Sequence, residues 1–221
     1  MKPIVLRSER LVLSTPTAAD IDAIAQCCQD AAVQRWTTVP SPYSHADAEH
    51  FVHHIVDPGW EAGTAATWGI RAHERAPVVG MIGLSGIAHG GAELGFWLGS
   101  AARGAGVMSE AVRLVCDFGF AQADSGVDSG VDSGLGARVG AGVDAGLDAG
   151  LGLQRIQWHA IIGNAASASV AWRAGFRFEG TKRLGGVQRG IRVDAWSAAL
   201  LSTDERRPAG GWPPETLVAT S

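Results

Sequence analysis

The chain has 221 residues and is 46% hydrophobic, enough for one domain with a real core. Its net charge of −4 does not indicate a nucleic-acid surface. Three cysteines (Cys27, Cys28, Cys116) make an odd count that reads as reduced, structural thiols and points to the cytoplasm. The start, MKPIVLRSERLVL, has charges breaking its short apolar run, so neither a signal peptide nor a membrane span is predicted.

Glu9 to Ser14 reads as a first strand. Thr17-Ala-Ala-Asp20 resembles a capping box, and Ile21, Ile24, Ala25 and Cys28 continue it as an amphipathic helix. Arg35-Trp36 with Pro40-Ser-Pro42 reads as a loop with an aromatic anchor. Ser44-His-Ala-Asp47 starts a second helix with Phe51, Val52, Ile55 and Val56 as its apolar face, ended by Pro58-Gly59. On that helix Glu49, His50, His53 and His54 could in principle ligate a metal, but no cysteine or second acidic cluster supports a site, and a solvated polar face is the expectation. Trp68–Arg71 and Val78–Leu84 are predicted strands around a turn at His73–Pro77.

The most informative stretch is Glu93 to Gln122. ELGFWL alternates as a half-buried strand, and GSAARGAG is a loop of small residues. From Ser109 the apolar residues Val112, Val115, Cys116, Gly119 and Phe120 form a helical stripe. A strand, a small-residue loop and a helix N-terminus present free backbone N–H groups and the positive end of a dipole, an arrangement suited to phosphate. A tight strand–helix turn without a ligand is the alternative. The loop is neither a Walker A motif nor a dinucleotide fingerprint, lacking Lys-Ser/Thr and GxGxxG.

Residues 124–152 are of another kind. Hydrophobic residues recur every fourth position, from Val127 through Val131 to Val143 and Leu147, with Asp and Gly between them. Glycine in each unit opposes a helix by roughly 1 kcal/mol per residue, so a flexible insertion is predicted. RIQWHAII (155–162) alternates as a strand, and Asn164 is the predicted cap of a helix from Ala165 to Ala174. Phe176–Glu179 and Val193–Leu201 read as the last strands, around a turn at Gly185–Gly190. The tail 208–221 is predicted to be disordered.

Two separated motifs, ELGFWL…RGAGVMSEAV and GNAASASVAWRAGFRFEG, resemble the GNAT superfamily of acyl-CoA N-acyltransferases. The closest resemblance is to its RimJ/RimL-type branch, named for acetylation of ribosomal-protein N-termini; SERLVL, the PSPYS loop and RGIRVDAWSAALL support it. The resemblance implies an α/β (α+β) GNAT fold, with a mixed, mostly antiparallel central sheet flanked by helices and strands splayed at the coenzyme site. It implies one domain over 1–207, interrupted by the 124–152 repeat.

For acetyl-CoA as co-substrate, the resemblance implies that Arg103, Gly104, Ala105, Gly106, Val107, Met108 and Ser109 wrap the pyrophosphate. The pantetheine arm would lie along Phe96, Trp97 and Leu98 and meet Asn164, with Ser167 near the thioester sulfur. The family's frequent tyrosine acid is replaced by Ala171, leaving Ser167 or water to protonate the thiolate. Glu93 matches an acidic position of this branch and is the expected base, directly or through water; a plain surface carboxylate is the alternative. Arg35 and Arg173 are further candidates for phosphate contact, and Trp36, Trp68, Trp97 and Trp158 for either an acceptor cleft or the core.

An attacking amine must be neutral. At pH 7 this costs about 1.2 kcal/mol for an α-amine and about 4.6 kcal/mol for a lysine side chain, which favours a protein or peptide N-terminus as acceptor. A small amine, such as an antibiotic or polyamine, is the nearer alternative, and a non-catalytic acyl-CoA-binding module the more distant one. No metal, nucleic-acid or membrane partner is expected. Homodimers are common in the family, though no interface is visible in the sequence. Removal of Ser125–Gly150 is expected to leave the fold and coenzyme binding intact.

Overall fold

The computed structural model describes residues 1–122 and 150–217. Residues 123–149, which hold most of the repeat, lie outside the described residues, as do 218–221. Eight strands form one sheet: β1 (Leu6–Arg7), β2 (Val12–Ser14), β3 (Ala65–Arg71), β4 (Gly80–Ala88), β5 (Gly91–Leu98), β6 (Arg155–Ile161), β7 (Arg177–Gln188) and β8 (Ile191–Leu201). Their order is β1-β2-β3-β4-β5-β6-β8-β7. Every pairing is antiparallel except β5 with β6. A parallel pair needs a long crossover, and helix α5 (Val107–Phe120) lies within this one.

The remaining helices are α1 (Ile21–Cys27), α2 (Ala31–Trp36), α3 (His45–His50), α4 (Asp57–Ala62), α6 (Ala165–Arg173) and α7 (Pro214–Leu217). One sheet face carries the larger core, where Leu94, Ile156 and Trp158 pack with Val112, Val115 and Cys116 of α5 and Ala168 and Ala171 of α6. Met81 meets the smaller cluster on the other face, with Ile21, Ile24, Val33 and Val52. Alternation along β4 and β5 feeds both.

Several local expectations change. The segment around Arg35-Trp36 is helix α2 and not a loop, because Asp30 accepts the N–H groups of Ala32 and Val33 at 2.9 and 3.0 Å. Pro58-Gly59 does not end the second helix. A π-helical stretch, Phe51–Val56, leads into α4, and Pro58 occupies the first turn of α4, where its missing N–H costs little. The last two strands run further, to a turn at Arg189-Gly190, with a register shift between Lys182 and Gly186.

The tail is the largest correction. Within 208–217 two residues anchor the chain: Trp212 is buried, its Nε1 donates to the Phe176 carbonyl at 2.9 Å, and Thr216 is buried in α7. The glycines and prolines around Trp212 suggest disorder, yet one indole buried against the domain outweighs them.

Beneath the N-terminal strands, Arg71 holds Asp20 through two bonds of 2.9 and 3.1 Å, both side chains being buried. Burial pushes the Asp20 carboxyl up, but Arg71 and the Thr17 N–H together hold it below the ordinary carboxylate range.

Candidate active site

The parallel pairing of β5 with β6 runs from Gly91–Arg155 to Leu94–Trp158 and stops there, although both strands continue. Residues 95–98 stay bonded to β4 on one edge and have lost their neighbour on the other. A wedge-shaped gap opens between the two strands. Phe96, Trp97 and Leu98 line its β5 side and are half-buried.

Past Leu98 the chain enters the loop before α5. Gly104 and Gly106 have φ of +82° and +77°, left-handed values that a residue with a Cβ rarely adopts. This backbone brings the loop into the α5 N-terminus. There the first intrahelical bond runs from the Glu110 N–H to the Gly106 carbonyl at 3.1 Å. The N–H groups of Val107, Met108 and Ser109 precede it and have no intrahelical acceptor. Arg103 does not reach outward. Its Nε and Nη2 donate to the Leu98 carbonyl, and Nη2 pairs with Asp30 at 2.7 Å. The guanidinium thus ties the loop to the start of α2, which leaves any anion to the backbone.

Asn164 caps α6, its Oδ1 accepting the Ser167 N–H at 3.2 Å. Ser167 Oγ accepts from Trp158 Nε1 at 3.1 Å. Both residues face the same hollow as the loop. A cavity of about 480 Å³ is lined by Phe96–Leu98, by the loop from Arg103 to Ser109 except Ala105, and by Asn164 and Ser167, with α2 contributing Trp36. Apart from Ala105, every position that the sequence assigns to the coenzyme therefore converges on one continuous space, although Asn164 and Ser167 are far from the loop in the chain. Arg173 also lines it and leads into a neighbouring cavity of about 300 Å³ with Arg10, Arg113 and Arg206 around Glu110.

Glu93 lies elsewhere. It is on β5, but on the sheet face opposite Leu94, and it lines a separate pocket with Ser85 and Gln157. His159 Nδ1 sits 3.2 Å and Gln157 Nε2 3.5 Å from the same carboxylate oxygen, Oε2. Lys182 Nζ contacts the far nitrogen of His159. The His159 hydrogen bond, against burial but with the added charge of Lys182, holds the Glu93 carboxyl below the ordinary carboxylate range. No motif in the sequence singles out His159 or Lys182. The only signal for His159 is its place two residues after Gln157, and that matters only once β6 is set beside β5.

Of the aromatic candidates, Trp36 and Trp97 line the main cavity, whereas Trp68 and Trp158 are core residues, 0% and 1% exposed. Arg35 stacks over Trp36 at 4.7 Å and does not line the cavity. No cysteine lines it either; burial pushes the thiols of Cys28 and Cys116 up to about 12. Glu49, His50, His53 and His54 stay on the exposed helix side, where His53 Nδ1 lies 3.4 Å from Asp57. Among the described residues no group of three or more His, Cys, Asp or Glu side chains is arranged to hold a metal ion. No described helix is long and apolar enough to cross a membrane.

Comparison with known proteins follows the same lines. The family described as acetyltransferase (GNAT) domain matches residues 10–177. No curated protein matches the chain. Among solved structures, RimL, a ribosomal L7/L12 alpha-N-protein acetyltransferase in complex with coenzyme A, superposes with a TM-score of 0.69 at 18% identity, covering 90% of this chain and 98% of its own. Mycobacterium smegmatis RimJ in complex with CoA-disulfide gives 0.69 at 16% identity, covering 90% and 86%. The microcin C7 self-immunity acetyltransferase MccE, in complex with acetyl-CoA and AMP, gives 0.66 at 18% identity, covering 87% and 92%. At these identities the likeness is one of fold.

Proposed function

The chain belongs to the acetyltransferase (GNAT) domain family, and from that premise we propose that it transfers an acetyl group from acetyl-CoA to a primary amine, the N-terminal α-amine of a protein or peptide. The observation that carries this reading is the single cavity joining the phosphate-suited loop, the unpaired edge of β5 and the Asn164–Ser167 turn. The loop and the β5 edge suit two parts of the coenzyme, and the Asn164–Ser167 turn stands where the thioester would lie. Backbone N–H groups at the α5 N-terminus receive the pyrophosphate. The open edge at Phe96–Leu98 offers main-chain bonds to the pantetheine amides, as an added strand would. The Arg10, Arg113, Arg173 and Arg206 side chains suit the remaining phosphate, by charge. RimL and MccE, which share the fold, hold coenzyme A and acetyl-CoA.

Glu93 and Ser167 lie on opposite faces of the sheet, on either side of the β5–β6 gap. A thioester threaded through that gap therefore has a carboxylate on the acceptor side and a hydroxyl on the other. Both protein partners of Glu93 use Oε2, and among the described residues none bonds Oε1. Oε1 takes the proton from the attacking amine, directly or through a water. The nitrogen bonds to the thioester carbon, the carbon–sulfur bond breaks, and Ser167 Oγ–H passes its proton to the leaving sulfur. Ser167 is reprotonated by solvent in the open cavity, while the half-exposed Glu93 returns its proton to solvent on the other face. Backbone N–H groups on the open edge of β5 stabilise the oxyanion. With no cysteine in the cavity, transfer is direct.

Turnover is read as thiol release from acetyl-CoA with N-terminal peptides and with small amines. Wild type should favour the peptides, and Glu93→Gln should lower kcat by about 10²-fold or more. Coenzyme binding without turnover on either acceptor set would overturn the enzymatic reading in favour of a binding module. Turnover on small amines alone would overturn the α-amine assignment.

A further inference from the structure

The Trp158 indole ends on the one hydroxyl that the proposed reaction uses. We infer that Trp158 is a positioning residue for Ser167, and that the C-terminal segment holds it in that role; this rests on the acetyltransferase reading above. An indole N–H can only donate. At 3.1 Å from Trp158 Nε1, Ser167 Oγ must therefore accept. A serine hydroxyl has one hydrogen, and with the indole on one side that hydrogen must turn elsewhere. Among the described residues Ser167 Oγ donates to no protein acceptor, and Ser167 lines the main cavity. The bond from Trp158 thus leaves the Ser167 hydrogen to the cavity, where the leaving sulfur needs it.

The indole is not free to turn away. Trp158 is 1% exposed and in the core beneath α6. The Trp212 ring packs on it at 5.7 Å between centroids and also meets Phe178 at 5.4 Å. Trp212 is itself fixed by its bond to the Phe176 carbonyl, and Trp172 Nε1 donates to the Ala209 carbonyl at 3.1 Å. Trp212 therefore packs against Trp158, and the bond from Trp172 to Ala209 anchors the segment that carries it. A segment outside the matched family region, which ends at 177, becomes part of the support of the site.

The test removes the indole hydrogen and keeps the ring. Trp158→Phe does so by ordinary mutagenesis. Replacing Trp158 with benzothienylalanine, which puts sulfur in place of the N–H, does so at nearly unchanged shape and guards against misfolding. In both, kcat for thiol release should fall about tenfold or more, part of the roughly 10²–10⁴-fold contribution of a general acid, while the KM for acetyl-CoA stays the same. In a Ser167→Ala background the same replacements should cost nothing more, since a pair acting as one unit is not additive. Unchanged kcat in the benzothienyl protein, or the same fractional loss with and without Ser167, would overturn the inference and leave the acetyltransferase reading standing. A wild type that releases no thiol with any amine would remove both.

Discussion

One oxygen of the Glu93 carboxylate, Oε2, is already claimed by two neighbours. The His159 hydrogen bond lowers its carboxyl below the ordinary range more than burial raises it. The sign of the resulting pH dependence follows. A carboxyl depressed in the folded state contributes stability that is complete above its unfolded value, about 4.3, and is lost as pH falls through the folded value. The difference in melting temperature between wild type and Glu93→Gln should therefore be flat from neutral pH down to about pH 5 and shrink below it. A difference that changes between pH 6 and 8 would place the titration on another group. The same depression keeps Glu93 ionised at neutral pH, so it is ready to accept a proton but is a weak base. Its partners His159 and Gln157 hold the carboxylate through Oε2, which leaves Oε1 turned to the acceptor side.

At the scale of the element, the loop before α5 is the most locally determined part of the site. A Cβ placed on Gly106 would meet open space, its nearest neighbour being Arg10 Nη2 at 3.9 Å. Substitution there is opposed by the backbone and not by crowding. Gly106→Val should strain a left-handed position by roughly 1–2 kcal/mol. It should weaken coenzyme A binding about tenfold by calorimetry, with KM for acetyl-CoA rising accordingly. A coenzyme affinity equal to that of wild type would show that the loop N–H groups do not hold the phosphates. Helix α2 belongs to the same assembly, because Asp30 both caps it and receives Arg103. Its residues form no periodic stripe, and so short a helix has too few turns for one to register.

Across the whole molecule, removal of the repeat and removal of the C-terminal segment carry opposite expectations. Gln122 and Gly150 flank the repeat, and the Gly150 N–H donates to the Gln122 carbonyl at 3.1 Å. The two ends already meet, so replacing 123–149 by a short Gly-Ser linker should leave the melting temperature and coenzyme affinity nearly unchanged. Loss of soluble protein would show that the repeat is needed for folding. Truncation after Arg207 should do the reverse. It removes the buried Trp212, a loss of about 3–5 kcal/mol by analogy with large core truncations, and should lower the melting temperature by several degrees. A truncated chain melting with wild type would show that the C-terminal packing contributes nothing.

Features built from adjacent residues were legible in the sequence by itself. Alternation in ELGFWL and RIQWHAII, the glycines of the loop, the Ser44–Asp47 and Asn164 caps and the stripe of α5 all depend on backbone geometry over a few residues. Together with the family resemblance they led to the fold and to the cavity-lining positions. Only the tertiary structure decided which oxygen of Glu93 is free, that His159 and Lys182 stand behind it, that Arg103 bonds back to Asp30, and that Trp212 packs on Trp158. Each of these joins residues far apart in the chain. The register of β5 against β6 is set by packing around a long crossover, and no local pattern encodes it.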